Sequence, residues 1–444
     1  MIRQYHSTMP PIPRRPTIPN ASQSQFIDPF LASLNAGSEV TAQDDPNYYT
    51  EDPQSLISSS NVHSFMNGTG SAIYQSLAPL LESTNHELIL VTCFWAPSDS
   101  LETLNNILRK LSDKAIHRGT EKIRVQLCFS SSSLFQKLFH KQSTSGQEYP
   151  PSDWTKKFGL PSTSELNGLH LEVKSIFLLP FSVMHPKFMI IDRHAVVLPS
   201  CNISWEAWFE GAITLSGPIT DQFLKFHNMY WQRTKPPPLH EEIDDAPLWQ
   251  AAEPGTSDHG HAHITTHFST TKKPSQMSSI PTIFLPSPHR RNPHFRPFAA
   301  ATDIQAPPTP LNTFLLTLFA KALKNIRIQT PNLTAPPVLT ALLNALARGI
   351  DVTILTSARL MVLEQLVTAG TTTSRCITTL ITRYKSLSSE TGRLLHDEEA
   401  AISAAKPGRL RISYFEPVGG GKGRGQEGGE PQQSHLKMTV VDDE

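Results

Sequence analysis

Cysteine is scarce: the 444-residue chain has four, Cys93, Cys128, Cys201 and Cys376, with no CxxC or other paired spacing. That excludes a disulfide framework and a cysteine-built zinc site, and it predicts free, buried thiols in a reducing, intracellular compartment. An excess of either charge is also missing, because 39 Lys and Arg balance 39 Asp and Glu. A nucleic-acid binder needs positive charge to displace counterions from phosphates, so nucleic acid is not the expected partner and only a local basic site remains open. No apolar run reaches the ~18 residues that span a bilayer. The nearest, Ile176 to Met184, is interrupted by Pro180. Any meeting with a membrane is expected to be peripheral, from its surface.

Proline is what the chain has in plenty, 37 residues, and 22 of them lie before residue 54 or between 232 and 310. Proline-rich, Ser/Thr-rich sequence buries too little apolar surface to offset its ordering entropy. We therefore expect a disordered arm at 1–53, a folded block at 54–232, a Pro/His/Ser-rich linker at 233–310 and a second folded block at 311–444. Arg3, Arg14 and Arg15, with no acid before Asp28, give the arm the composition of a mitochondrial presequence. Its prolines would break the amphipathic helix such a signal requires, which favours a disordered arm in a cytoplasmic or membrane-peripheral protein.

The two blocks repeat one plan. Glu87 to Phe94 reads as a buried strand, Leu101, Leu104, Ile107, Leu108 and Leu111 fall at helical spacing, and Ile123 to Phe129 is a second strand. In the second block Asn325 to Thr330 is a strand. A helix follows over Pro336 to Arg348, with Thr334 as its expected N-cap and Gly349 past its end, and then a strand over Ile350 to Thr356. Both helices close on a matching phrase, His117-Arg118-Gly119 and Ala347-Arg348-Gly349. Strand, helix, strand in series predicts an α/β fold of two lobes related by a pseudo-twofold, each a mixed, mostly parallel sheet flanked by helices.

The chemistry lies later in each block. His185, Lys187 and Asp192 stand in the pattern HxKxxxxD, and His435, Lys437 and Asp442 repeat it 250 residues on. Chance would place one such pattern in a chain of this composition far less than once, so two point to duplication of a site. Side chains at i and i+2 of a strand share a face, so each His projects beside its Lys. Each aspartate falls at a strand end, where a carboxylate can fix a loop or an imidazole. Two such halves brought together would set two histidines on opposite sides of a phosphate, an arrangement suited to phosphodiester cleavage. One histidine attacks phosphorus, and the other protonates the departing alkoxide and then deprotonates the incoming water or alcohol. The lysines neutralise the nonbridging oxygens, so neither a metal nor another cofactor is required.

With both motifs in view, the sequence resembles the phospholipase D superfamily, whose signature is the duplicated HxKxxxxD, over a span from about Val62 to the C-terminus. That family carries a GSxN element after the first motif. Here Pro199-Ser200-Cys201-Asn202 aligns with it, so the resemblance assigns Ser200 and Asn202 to phosphate binding, with Pro199 in the glycine's place. It also suggests a downstream glutamate that orients a histidine, Glu210 or its rival Glu206. The ALARGIDVTIL run is similar to the cardiolipin synthase branch. The resemblance implies a metal-independent phosphatidyltransferase or phospholipase working through a phosphohistidine, with phospholipid as substrate, His185 as nucleophile and His435 as acid and base. The alternatives are a nuclease-type phosphodiesterase and a catalytically silent scaffold. Asp442 lies two residues before Glu444, and no second GSxN element follows it. The expectation is a second lobe truncated at its C-terminus.

Two further runs invite a reading. His259, His261, His263 and His267 could catch a metal but fall in the expected linker, so no metal site is assigned. Gly419 to Gly429 lacks GxxxxGK[ST] and is not a nucleotide loop; Lys422 and Arg424 make it a flexible loop that could meet anionic head groups.

Overall fold

A computed structural model describes residues 21–119, 121–132, 140, 143–178, 185–233, 277–288, 306–394, 406–417 and 431–443. The runs His259–His267 and Gly419–Gly429 lie outside the described residues.

The chain enters through helix α1 (Ala21–Ala36). Phe26, Phe30, Leu31 and Leu34 lie along one face of it and are buried, as is Tyr49 beyond it. Residues 21–53 are thus folded, which corrects the expected disordered arm: an apolar stripe at helical spacing outweighs the local proline content, Pro29 included. Phe26 belongs to the core of the second lobe, while Phe30, Leu31 and Leu34 belong to a core of the first. Phe30 meets Phe314 edge to face at 5.2 Å.

The first lobe runs β1 (Ile57–Gly68), α2 (Gly70–Glu82), β2 (Glu87–Phe94), α3 (Asp99–Arg118), β3 (Ile123–Ser131), β4 (Gln147–Glu148), α4 (Pro151–Phe158), β5 (Leu169–Ser175), β6 (Phe188–Ile191), β7 (Ala195–Pro199), β8 (Trp208–Ser216) and α5 (Ile219–His227), with β9 (Met277–Ile283) added at an edge. Sheet order is β4-β5-β3-β2-β6-β7-β8-β1-β9. β2 is parallel to β3, and β3 to β5, as the strand, helix, strand series requires. From β6 onward neighbours run antiparallel, because short turns join β6 to β7 and only hairpins allow such brief connections. The sheet is therefore mixed rather than mostly parallel. β9 pairs with β1 and carries Phe284 into the core, so part of the expected linker belongs to the first lobe.

Helix α3 shows why these segments fold as they do. The Ser98 hydroxyl accepts from Leu101 N–H, Asp99 and Glu102 sit in the first turn, His117 and Arg118 in the last, and Gly119 closes the helix at φ 66°. Its Leu104, Ile107, Leu108 and Leu111 are fully buried against the sheet. That core covers one face, and α1 with α5 covers the other.

The second lobe runs α6 (Pro310–Lys321), β10 (Asn325–Gln329), α7 (Pro336–Ala347), β11 (Asp351–Thr356), α8 (Val362–Ala369), α9 (Thr373–Leu394), β12 (Leu410–Tyr414), β13 (Gln433–Ser434) and β14 (Met438–Val441). Its sheet, β12-β11-β10-β14, reproduces β5-β3-β2-β6: three parallel strands with the motif strand antiparallel beside the first. α7 starts from Ala335 rather than Thr334, with no side-chain cap. β13 leaves the second lobe to pair with the first two residues of β8, just past the point where β7 departs from it. All four cysteines are free and buried.

Candidate active site

The two aspartates do the same job in each lobe. Asp192, at φ 46° just after β6, accepts the N–H groups of Asn85, His86 and Glu87 at 2.7–2.8 Å. Asp442, at φ 56° just after β14, accepts those of Leu323, Lys324 and Asn325. Each also donates its own N–H to the first carbonyl of the paired strand, Glu87 O and Asn325 O. Aspartate tolerates the left-handed backbone that this turn imposes, and its carboxylate collects donors the sheet leaves over. Both carboxylates thus clamp the entrance of the neighbouring strand, at the far end of the motif strand from the histidine. They hold the scaffold and are not placed as catalytic groups.

The histidines come together through β8 and β13. Phe209 O accepts the N–H groups of both His435 and Leu436, at 2.9 and 3.0 Å, which ties the second motif to the first sheet. Gly211 leaves room for that approach: a Cβ there would stand 2.9 Å from Leu436 Cδ1. Ser357 Oγ bonds Ser434 O, and Gln329 Nε2 bonds Ser434 Oγ, so the second sheet holds the same segment from behind.

Within the cleft His435 Nδ1 lies 2.8 Å from Glu210 Oε1, with both side chains almost wholly buried. Glu210 Oε2 in turn accepts from Ser200 Oγ, which itself accepts the Gly211 N–H at 2.9 Å. The Trp208 ring packs on the His435 ring at 4.7 Å, from the same face of β8 as Glu210. Lys437 Nζ reaches His435 Nε2 and His435 O, both at 3.1 Å.

On the other side, Lys187 Nζ sits 3.0 Å from His185 Nδ1. His185 is exposed, while its packing beside Lys187 costs the imidazole part of its hydration. That desolvation, with the positive fields of Lys187, Lys437 and His435, holds its imidazole well below the usual histidine range. Burial also lowers Lys187, which is countered by the fields of Cys93, Glu210 and Glu206. Lys437 is pushed down to about 8, first by lost hydration and then by repulsion from Lys187. Each motif's charges thus act on the other's: Lys437 and His435 on His185, and Lys187 on Lys437.

Ser200 and Asn202 occupy supporting places. Ser200 steadies Glu210, and Asn202 Oδ1 accepts from Phe94 N–H and Thr92 Oγ1 at the end of β2. Of the two candidate glutamates, Glu210 is the one that meets a histidine, and that histidine belongs to the other motif. Trp208 went unread in the sequence; its place two residues before Glu210 on one strand face is the signal that finds it. Among the described residues no three His, Cys, Asp or Glu side chains converge as a metal site would require.

The chain is similar to a phosphatidylserine synthase. That protein, from Haemophilus influenzae Rd KW20, is 13% identical, with 88% of this chain and 79% of that one covered at a TM-score of 0.43. Nuc from Salmonella typhimurium, a phospholipase D family member, is 12% identical over 38% of this chain and 94% of its own, at 0.24. NucT from Helicobacter pylori is 19% identical over 37% and 95%, at 0.23. No protein-family model matches the chain, and no curated protein matches it. The functional reading rests on the geometry of the site.

Proposed function

We propose that the protein is a phospholipase D-like phosphodiesterase or phosphatidyltransferase that cleaves phospholipids through a phosphohistidine. The observation that supports this is that each motif histidine lies beside its lysine and that the second motif is bound to the first lobe, with His435 N–H on Phe209 O and His435 Nδ1 at 2.8 Å from Glu210.

The environments of the two histidines separate their roles. His185, kept neutral, holds a lone pair ready to attack phosphorus. His435 is fixed by a buried carboxylate, which compensates the charge the ring carries as an acid. As the His185 nitrogen bonds to phosphorus, the P–O bond to the leaving alkoxide breaks, and the proton of His435 passes to that oxygen. In the second half, His435 takes a proton from water or an acceptor alcohol while its oxygen attacks phosphorus, the P–N bond breaks and His185 returns neutral. Lys187 and Lys437 face the charge that grows on the nonbridging oxygens, so the chemistry needs no metal.

The test incubates the full chain with labelled phosphatidylglycerol, phosphatidylcholine and single-stranded DNA in the presence of a chelator. Turnover of a phospholipid, abolished by His185→Ala and by His435→Ala, is the expected result. Failure to turn over either lipid, or unchanged turnover in both variants, overturns the reading. An acid-labile phosphoenzyme that forms in His435→Ala and not in His185→Ala identifies the nucleophile.

A further inference from the structure

Helix α8 is inside out. Its Gln365 is 4% exposed and points inward, bonding Asn332 Oδ1, Leu360 O and the N–H and hydroxyl of Thr373. Three of its apolar residues point outward instead: Val362, Leu363 and Leu366 are 37%, 76% and 43% exposed, and their positions place them on one stripe. A surface helix of a water-bathed domain presents the opposite pattern. The turn before it holds two non-glycine residues in the left-handed region, Arg359 at φ 57° and Met361 at φ 52°, a conformation that persists only where surroundings over-determine it. Burial of Leu360 and the Gln365 network supply that constraint.

The position of the helix gives the stripe its meaning. Ser357, just after β11 and five residues before α8, donates to Ser434 O next to His435, and Glu364 of α8 acts electrostatically on Lys437, so α8 stands beside the second motif. From the other lobe, Trp205 is 55% exposed, three residues before Trp208, whose ring packs on His435 at 4.7 Å, and beside Glu206, whose charge acts on Lys187. Two elements remote in sequence therefore set exposed apolar side chains around one pair of lysines, with Arg359 exposed next to the helix.

We propose that α8 and Trp205 form a docking rim for a phospholipid surface, seating their apolar side chains among acyl chains while the head-group phosphate enters the cleft. The occupant follows from complementarity: a cationic pocket ringed by apolar side chains matches an amphiphile with an anionic phosphodiester and a hydrocarbon tail. This rests on the reading of the cleft as a phosphodiesterase site.

The test uses the full chain, vesicles of phosphatidylglycerol and phosphatidylcholine, and the water-soluble diester bis(p-nitrophenyl) phosphate. Leu363→Ser with Leu366→Ser, and separately Trp205→Ala, should lower vesicle flotation and vesicle turnover about tenfold, with turnover of the soluble diester held within about twofold. Unchanged flotation in both variants overturns the proposal, as does a wild-type chain that fails to float. A wild-type dimer that the double variant makes monomeric also overturns it, by showing that a second copy covers the stripe. Absence of soluble-diester turnover in the wild type would sink the catalytic reading alone, since flotation reads the rim independently.

Discussion

Glu210 and His435, 225 positions apart in the chain, meet at 2.8 Å between Oε1 and Nδ1, with side chains 4% and 3% exposed. Each lobe contributes half, so the histidine of one motif is held by a strand of the other lobe. The pair links docking of the lobes to assembly of the site, because β13, which ends at the residue before His435, pairs with β8.

Glu210→Gln should keep the shape of the contact but lose its charge. We expect a fall in kcat/KM of at least about 100-fold, carried in kcat. Ser200→Ala, which leaves Glu210 in place but less constrained, should cost about tenfold. Steady-state kinetics of both variants on one lipid substrate check this ordering.

The pH profile of kcat/KM should be broad on its acid side. A nucleophile must be neutral, and His185 is held below the usual histidine value, so activity persists until pH falls beneath the ordinary histidine range. On the alkaline side both the acid His435 and Lys437 must keep their protons, and Lys437 gives up its own as pH rises through about 8, so it contributes to the alkaline decline. Lys437→Arg, which cannot lose its proton in that range, should move this limb upward. A limb that stays put in the arginine variant would remove Lys437 from the profile.

The motif aspartates should differ in stability rather than in chemistry. Asp192 is buried at 5% exposure, and its replacement by alanine strands three N–H groups, with an expected loss of about 2–3 kcal/mol. Asp442 bonds mainly exposed N–H groups that water can satisfy, so Asp442→Ala should cost under about 1 kcal/mol. Urea unfolding curves of the two variants measure the difference.

The N-terminal helix should be indispensable. Phe30→Ala removes a fully buried ring from the first-lobe core, at an expected cost of about 3–5 kcal/mol. A chain beginning at residue 54 would expose that core and the Phe26 site in the second, and it should be insoluble or unfold at markedly lower temperature than the full chain.

Much of the plan was legible from periodicity. β2, β3, β10 and β11 stand out as apolar runs, and α3 announces itself by leucine spacing and its closing glycine. The duplicated motif named four of the cleft's side chains. Other features depend on long-range partners that no local pattern records. β9 reads as linker until β1 offers it an edge, and α1 reads as a proline-rich arm until two cores bury its phenylalanines. The hairpin-joined half of the first sheet escaped the expectation of parallel pairing because a turn after β6 reverses the chain sooner than a helix could. Ser200 and Asn202, read as phosphate ligands, also brace the scaffold, one bonding Glu210 and the other the end of β2.

By itself, the sequence determined that two α/β lobes exist and that each carries a histidine and a lysine two residues apart, which the structure places just before a strand, because apolar patterning and repeat spacing are local properties. Only the tertiary structure decided how the halves combine: that the motif aspartates brace strand entrances, that Glu210 serves the histidine of the opposite motif, and that α8 turns its leucines outward. The physical reason is reach. Hydrogen bonds, desolvation and the fields of neighbouring charges act over a few ångströms in space, and folding sets which residues share that distance.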